Sequence, residues 1–174
     1  DLATTLKRLH GFQSEPFGQS IRGGAQAPVD PRHVGDPVID AAFRAFAPLI
    51  DAYVAAMQPD DAMGARRAGG WRIIGAWSVL LPAGGRHIDH VHSQGWVSSA
   101  FYVETPGAED APKAGWLRLG KPGVLTQPAL EASAWIEPKP GRLALFPSYL
   151  WHGTEPFKGP GRRLSIAFDV QPTP

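Results

Sequence analysis

Trp71-Arg72-Ile73-Ile74-Gly75-Ala76-Trp77-Ser78-Val79-Leu80-Leu81 decides the fold. Trp71, Ile73, Gly75, Trp77, Val79 and Leu81 alternate with Arg72, Ile74, Ala76, Ser78 and Leu80. Side chains of a strand point by turns to its two faces. Both sets are largely apolar, as expected of a strand covered on both sides. Strand-like runs follow at Val97 to Val103, Gly115 to Leu119, Ser133 to Ile136, Arg142 to Phe146 and Leu164 to Val170. Pro82-Ala83-Gly84-Gly85, Pro106-Gly107, Pro138 to Gly141 and Gly159-Pro160-Gly161 punctuate them. Many short strands between turns predict a sandwich or jelly roll. The 20 Gly and 18 Pro in 174 residues argue the same way, against a helical bundle. No internal repeat is visible.

Upstream, the pattern changes. Residues 1–35 read as an irregular arm, with a turn or two of helix from Leu2 to Leu9. The segment Gly18-Gln19-Ser20-Ile21-Arg22-Gly23-Gly24 is polar and Gly-flanked. It fits a surface loop, or a loop that drapes over a pocket and supplies Gln19 and Arg22 to it. A helix follows, capped by Asp36 with Pro37 at its first position. Ile39, Phe43, Phe46, Ile50, Tyr53, Val54 and Met57 give it one apolar face for packing on the core. Pro48 predicts a kink or two shorter helices, and residues 64–70 a linker. The expected organisation is a single domain, with residues 1–70 as arm and helix packed on a β core at 71–174. A chain of this length buries roughly two-thirds of its unfolded surface and needs no staple.

Composition excludes several function classes. Net charge is +1 with Lys and Arg scattered, so no basic stripe points to nucleic acid. With no cysteine, disulfides, zinc–thiolate sites and thiol nucleophiles are out, and the compartment is left open. No apolar stretch approaches a membrane span. A cytoplasmic setting without a membrane partner is the expectation. A chain starting at Asp1 is expected to lack an upstream piece, a signal peptide or a domain.

The chemistry sits in the histidines. Of six, His10 and His33 lie in the arm and are most simply solvated. Arg86-His87-Ile88-Asp89-His90-Val91-His92 sits between two predicted strands. If it is extended, His90 and His92 share a face. His152, a few residues past a strand end and bracketed by Pro147 and Gly153, is the natural third ligand. Neutral imidazole suits iron, zinc, copper and nickel. His87 and Asp89 form a competing His-x-Asp pair, part of the two-histidine, one-carboxylate triad of non-haem iron oxygenases. The two pairs point opposite ways in a regular strand, and spacing alone does not choose between them. Arg163 and Ser165 share a face of the last strand. An Arg facing a barrel interior grips a carboxylate bidentately, and a Ser adds a third bond. Arg162 and Arg163 as a solvated pair at a strand start is the alternative.

Read together, these residues resemble a family. In order they are His90-x-His92, Gly95-Trp96, Val97-Ser98-Ser99-Ala100-Phe101-Tyr102-Val103, Leu145-Phe146-Pro147-Ser148-Tyr149-Leu150-Trp151-His152, and Arg163-x-Ser165. With Gln19-Ser20-x-Arg22-Gly23-Gly24-x-Gln26 and Trp77-Ser78-Val79, they look like the 2-oxoglutarate- and iron(II)-dependent oxygenases often found after tetratricopeptide repeats in bacterial proteins. The chain has no room for such repeats, so it would be a stand-alone member or an excised domain. The resemblance implies a mainly β fold, a double-stranded β-helix (jelly roll, cupin-like) with an N-terminal helical segment. It implies iron(II) on His90, His92 and His152, and 2-oxoglutarate as co-substrate. Arg163, eleven residues past His152, would hold its far carboxylate with Ser165 assisting, and Tyr102 is a weaker candidate for the same task. The implied activity is a dioxygenase that hydroxylates a small molecule or protein while producing succinate and CO2. Trp96, Trp151 and Gln19 are expected on the substrate side, although core packing explains the two Trp equally well.

One departure stands out. The wider superfamily usually has a carboxylate where His92 stands, and a third neutral ligand leaves more positive charge on the metal. Two rivals follow: a three-histidine cupin-like dioxygenase or zinc hydrolase that ignores 2-oxoglutarate, and a metal- or ligand-binding barrel without turnover. Substrate and oligomeric state are not encoded in any motif.

Overall fold

The computed structural model describes residues 1–11, 18–107 and 111–174. Residues 12–17, part of the irregular arm expected at 1–35, therefore lie outside the described residues. In chain order the elements begin with α1 (Leu2–Arg8), β1 (Ile21–Arg22), β2 (Ala25–Gln26) and α2 (Pro37–Ala55). There follow β3 (Trp71–Leu81), β4 (Arg86–His87), β5 (Val97–Glu104), β6 (Leu117–Leu119) and β7 (Ala134–Ile136). The last are β8 (Leu143–Pro147), β9 (His152–Thr154) and β10 (Arg163–Pro172). The predicted linker is a 3-10 turn, Gly64–Gly69.

A five-stranded antiparallel sheet runs β2-β3-β10-β5-β8. Facing it are a three-stranded sheet, β7-β6-β9, and the pair β1-β4. A bridge between His90 and His152 joins those two smaller pieces, so they act as a second wall. Two walls closed around one interior make the double-stranded β-helix, with its helical segment at the N-terminal side. The six anticipated strands all form, with 115–119 and 133–136 shortened to the three-residue β6 and β7, and what the alternation did not announce are the two-residue β1, β2 and β4 and the three-residue β9. Runs that short carry no period to read.

Period two fixes which face does what. Ala76, Leu80, Leu164, Ile166, Phe168 and Val170 of the large sheet form one buried apolar cluster with Ile39, Phe46, Ile50 and Val54 of α2 and Leu6 of α1. Each such side chain removed from water contributes about 1.5–3 kcal/mol. Phe46 stacks on Phe168 at 5.4 Å and tilts against Phe101 at 4.8 Å. The opposite face of the same strands (Trp77, Val79, Arg163, Ser165, Ala167) lines an interior pocket.

Two expectations change here. Pro48 does not break α2, which runs unbroken from Pro37 to Ala55. Both Pro48 and Arg44, whose carbonyl loses its partner, are exposed, which leaves the freed carbonyl on the solvent side of the helix, where its loss of a donor costs least. His10 is not solvated as expected: it is 5 % exposed, with Nε2 at 2.9 Å from Ser78 Oγ. The end of α1 lies against the outer face of β3, where Ser78 supplies the polar partner a buried imidazole needs. His33 is exposed as anticipated.

Candidate active site

The interior pocket collects residues from nearly every strand. β10 gives Arg163, Ser165 and Ala167; β3 gives Trp77 and Val79; β5 gives Ser99, Ala100 and Tyr102. The arm adds Gln19, Ser20 and Gln26, and the second wall adds His87, His90, His92 and His152.

His90, His92 and His152 each offer a ring nitrogen, and these atoms lie within 4.8 Å of one another. Their ring centroids are 4.2 to 5.1 Å apart. Two mutual backbone hydrogen bonds hold the two chain segments together, His90 N to His152 O at 3.0 Å and the reverse at 2.9 Å. A third, His92 N to Ser148 O at 3.0 Å, fixes the next turn. Each ring is then oriented through Nδ1. His90 Nδ1 lies 2.7 Å from Ile88 O, His152 Nδ1 2.9 Å from Leu150 O, and His92 Nδ1 2.5 Å from Asp169 Oδ2. A carbonyl only accepts, so the Nδ1 of His90 and of His152 carries the proton and leaves Nε2 bare; the carboxylate imposes the same tautomer on His92. Three imidazoles with bare Nε2 atoms pointing into one pocket are a donor set that fits a divalent first-row metal.

Burial works in the same direction. It pushes the His152 pKa down to about 3, helped by neighbouring His90. Burial also lowers His90 and holds His87 well below the usual range, where Arg163 and the other rings add to the effect. Neutral imidazole is the ligating form.

The competing pair separates. Asp89 turns away from the pocket into Arg118, with Oδ1 2.7 Å from Nε and Oδ2 2.9 Å from Nη2. Arg118 also reaches Glu155 at 2.5 Å. β4 ends at His87, so the strict alternation expected of the His-rich segment does not continue. His87 therefore joins His90 and His92 in lining the pocket. It stacks on His90 at 5.8 Å and takes Ser20 Oγ on Nδ1 at 2.9 Å. Its place as a third wall residue, rather than as half of a His-x-Asp pair, was hidden by the assumption of a regular strand.

Arg163 is not half of a solvated pair. It is 3 % exposed, Nη1 donates to Gly115 O at 3.0 Å, and Nε has no partner. Its guanidinium carbon lies 5.9 Å from the Tyr102 ring, whose hydroxyl is also buried and unpartnered. Burial lowers the Arg163 pKa and raises that of Tyr102. Among the described residues no carboxylate pairs with Arg163. Ser165, 5 % exposed, lines the same pocket.

Of the arm residues, Gln19 lines the pocket as the draped-loop reading expects, and Arg22 does not. Arg22 Nη1 donates to Gln19 O and Ile21 O, both at 2.7 Å, and so shapes the loop. Neither tryptophan reaches the pocket. Trp96 is 1 % exposed in the core beside α2, with Nε1 donating to Met63 O at 3.1 Å. Trp151 lies against Gly123, outside the pocket lining. Asp169, the partner of His92, shares the 163–165–167 face by simple alternation, but no motif marks it.

A family model described as "Putative 2OG-Fe(II) oxygenase" matches residues 75–169, more than half of the chain and every pocket residue from β3 to β10. The chain belongs to this 2OG-Fe(II) oxygenase family. Iron(II) and 2-oxoglutarate are accordingly its metal and co-substrate, and oxygenation is its reaction class. No curated protein matches it in sequence. Among solved structures it resembles a Pseudomonas putida prolyl-4-hydroxylase, at TM-score 0.66 and 20 % identity over 99 % of this chain and 85 % of that one. A Trichoplax adhaerens prolyl hydroxylase, solved with a hypoxia-inducible-factor peptide, gives 0.61 and 19 % over 98 % and 76 %. HygX from Streptomyces hygroscopicus, solved with nickel and 2-oxoglutarate bound, gives 0.61 and 13 % over 99 % and 77 %. At these identities what is shared is the fold.

Proposed function

We propose that His90, His92 and His152 hold one iron(II) through their Nε2 atoms, and that Arg163, with Ser165 and Tyr102, holds the far carboxylate of 2-oxoglutarate. The observation that carries this reading is Arg163, a buried guanidinium without a counter-ion among the described residues, in the same pocket as three imidazoles of one tautomer. An isolated buried charge costs several kcal/mol unless an opposite charge joins it. A dicarboxylate supplies one at each end of the pocket: one for the guanidinium and one for a metal.

The division of labour follows. Bound iron(II) supplies the oxidative chemistry, in which O2 and 2-oxoglutarate give succinate, CO2 and a hydroxylated C–H bond. Arg163 would hold the far carboxylate of the co-substrate by charge-assisted hydrogen bonds, to which Tyr102 and Ser165 would add hydroxyl donors. Leu117, Val79 and Phe146 keep the pocket apolar between the charged ends. Gln19, exposed at the pocket edge, is placed to meet the substrate.

The membership in the branch that follows tetratricopeptide repeats, a cytoplasmic setting, and a small-molecule or protein substrate rather than nucleic acid or membrane belong to this proposal. The Phe-Pro-Ser-x-x-Trp-His block at 146–152 supports the first. The three-histidine reading that dispenses with 2-oxoglutarate leaves Arg163 without a purpose and is the weaker one. The deciding experiment is anaerobic iron loading followed by titration with 2-oxoglutarate, for the natural protein and for Arg163→Ala. Uptake of iron by both, with 2-oxoglutarate binding and succinate production only in the natural protein, is expected. Equal 2-oxoglutarate binding by the two would overturn the assignment of Arg163.

A further inference from the structure

The three imidazoles have unequal outer partners. His90 and His152 rest on neutral carbonyls, but His92 rests on the carboxylate of Asp169, Nδ1 to Oδ2 at 2.5 Å. Asp169 is 5 % exposed, and no Lys or Arg pairs with it among the described residues. Its other oxygen accepts from Ser98 Oγ at 2.7 Å, and Ser98 Oγ lies 2.9 Å from Ser148 Oγ. Ser98 sits directly across from Asp169 in the β5–β10 pairing. Packing there is close: a Cβ on Gly95 would come within 2.4 Å of Ser148 Oγ and 3.5 Å of Asp169 Cγ. A carboxylate buried in such a place, with an imidazole as its one ionisable partner, is costly to keep.

We infer that Asp169 is a positioning residue that returns, through His92, the negative charge missing from an all-imidazole ligand set. The inference rests on the proposed ligand role of the three histidines. A carboxylate in His92's own place would deliver its charge directly. Here it stands one hydrogen bond further out. By accepting Nδ1–H it shifts electron density through the ring, making Nε2 of His92 a stronger donor than those of His90 and His152, and it locks the ring's rotation. Arg163 and Asp169 also share a strand, so β10 carries the cationic anchor at one end of the pocket and the anionic support at the other.

The test compares Asp169→Asn in two backgrounds, the natural chain and His92→Asp. Asparagine keeps shape and a carbonyl acceptor but removes the charge. Iron(II) affinity, measured anaerobically on the metal-free protein, is expected to fall roughly 10- to 100-fold in the natural background. The midpoint potential of the bound iron should rise, because less negative charge is then left to stabilise the ferric state. In the His92→Asp background the same substitution should leave affinity unchanged or improve it, since a carboxylate already ligates and its neighbour only repels. Asp169→Glu, which keeps the charge, should bind iron better than Asp169→Asn if both are folded. Equal affinity of Asp169→Asn and the natural protein would sink the inference and leave the histidine ligands standing. So would an equal loss in both backgrounds, the mark of a merely structural residue. A natural protein that takes up no iron would remove the ligand set and this inference with it.

Discussion

Arg163 is held 3 % exposed by the packing of β10, with its Nε unpartnered. Arginine at that depth is rare unless it is paired, so the two states of the protein should disagree about its worth. Arg163→Met is expected to abolish 2-oxoglutarate binding, yet to make the ligand-free chain more stable by about 1–4 kcal/mol, as read by denaturant unfolding. A lower stability would assign the guanidinium a structural duty instead. Arg163→Lys keeps the charge and loses the planar fork. Loss of one charge-assisted bond, about 1.5–3 kcal/mol, should weaken 2-oxoglutarate at least tenfold in a calorimetric titration. Asp89 gives the opposite contrast. Because both its oxygens are committed to Arg118, Asp89→Asn should keep its iron in a metal analysis, whereas His152→Ala should lose it.

At the level of elements, β9 and the His-rich segment are held in contact by a residue without a side chain. A Cβ at Gly153 would sit 2.5 Å from Asp89 Oδ1 and 3.1 Å from His87 O. Since Arg118 pins that carboxylate, Gly153→Ala should push the His87–His92 segment away from His152. The expected result is a chain that folds but binds iron more weakly, seen in a metal titration alongside an ordinary unfolding curve. The helix layer affects stability alone: Phe46→Ala removes a ring at 3 % exposure between Phe168 and Phe101. It should cost about 3–5 kcal/mol while leaving metal affinity unchanged. The junction of α1 with β3 should be acid-sensitive through His10, whose pKa burial lowers from its usual 6.5. Below 6.5 the unfolded chain binds a proton that the folded chain resists, so stability is flat above that pH and falls beneath it. His10→Gln should flatten this slope in the metal-free protein, where His87, His90 and His152 act in the same sense. The long strands and α2 were readable because period and caps are local properties. β1, β2 and β4 were not, since two-residue strands exist only through their partners across the sheet. Pro48 misled for a related reason: whether it breaks a helix depends on what surrounds the freed carbonyl.

Across the whole molecule, the residues that line the pocket were legible in the sequence and their supports were not. His90, His92, His152, Arg163, Ser165 and Tyr102 all reach one pocket, because motif spacing reports what points inward. Asp169 and Ser20, which orient rings from 77 and 67 positions away, are joined to them only by the fold. The tryptophans went the other way, since an indole in a motif is equally at home in the core. His90 and His152 are tied by reciprocal backbone bonds. They belong to the sheet rather than to any ion, so a chelator should find a clasp that stays shut when emptied. Unlike a zinc finger, whose chain collapses on losing its metal, the stripped protein should keep its near-ultraviolet circular dichroism. Its melting temperature should drop only by the mass-action increment of a released ligand, and iron should re-enter a cradle already built.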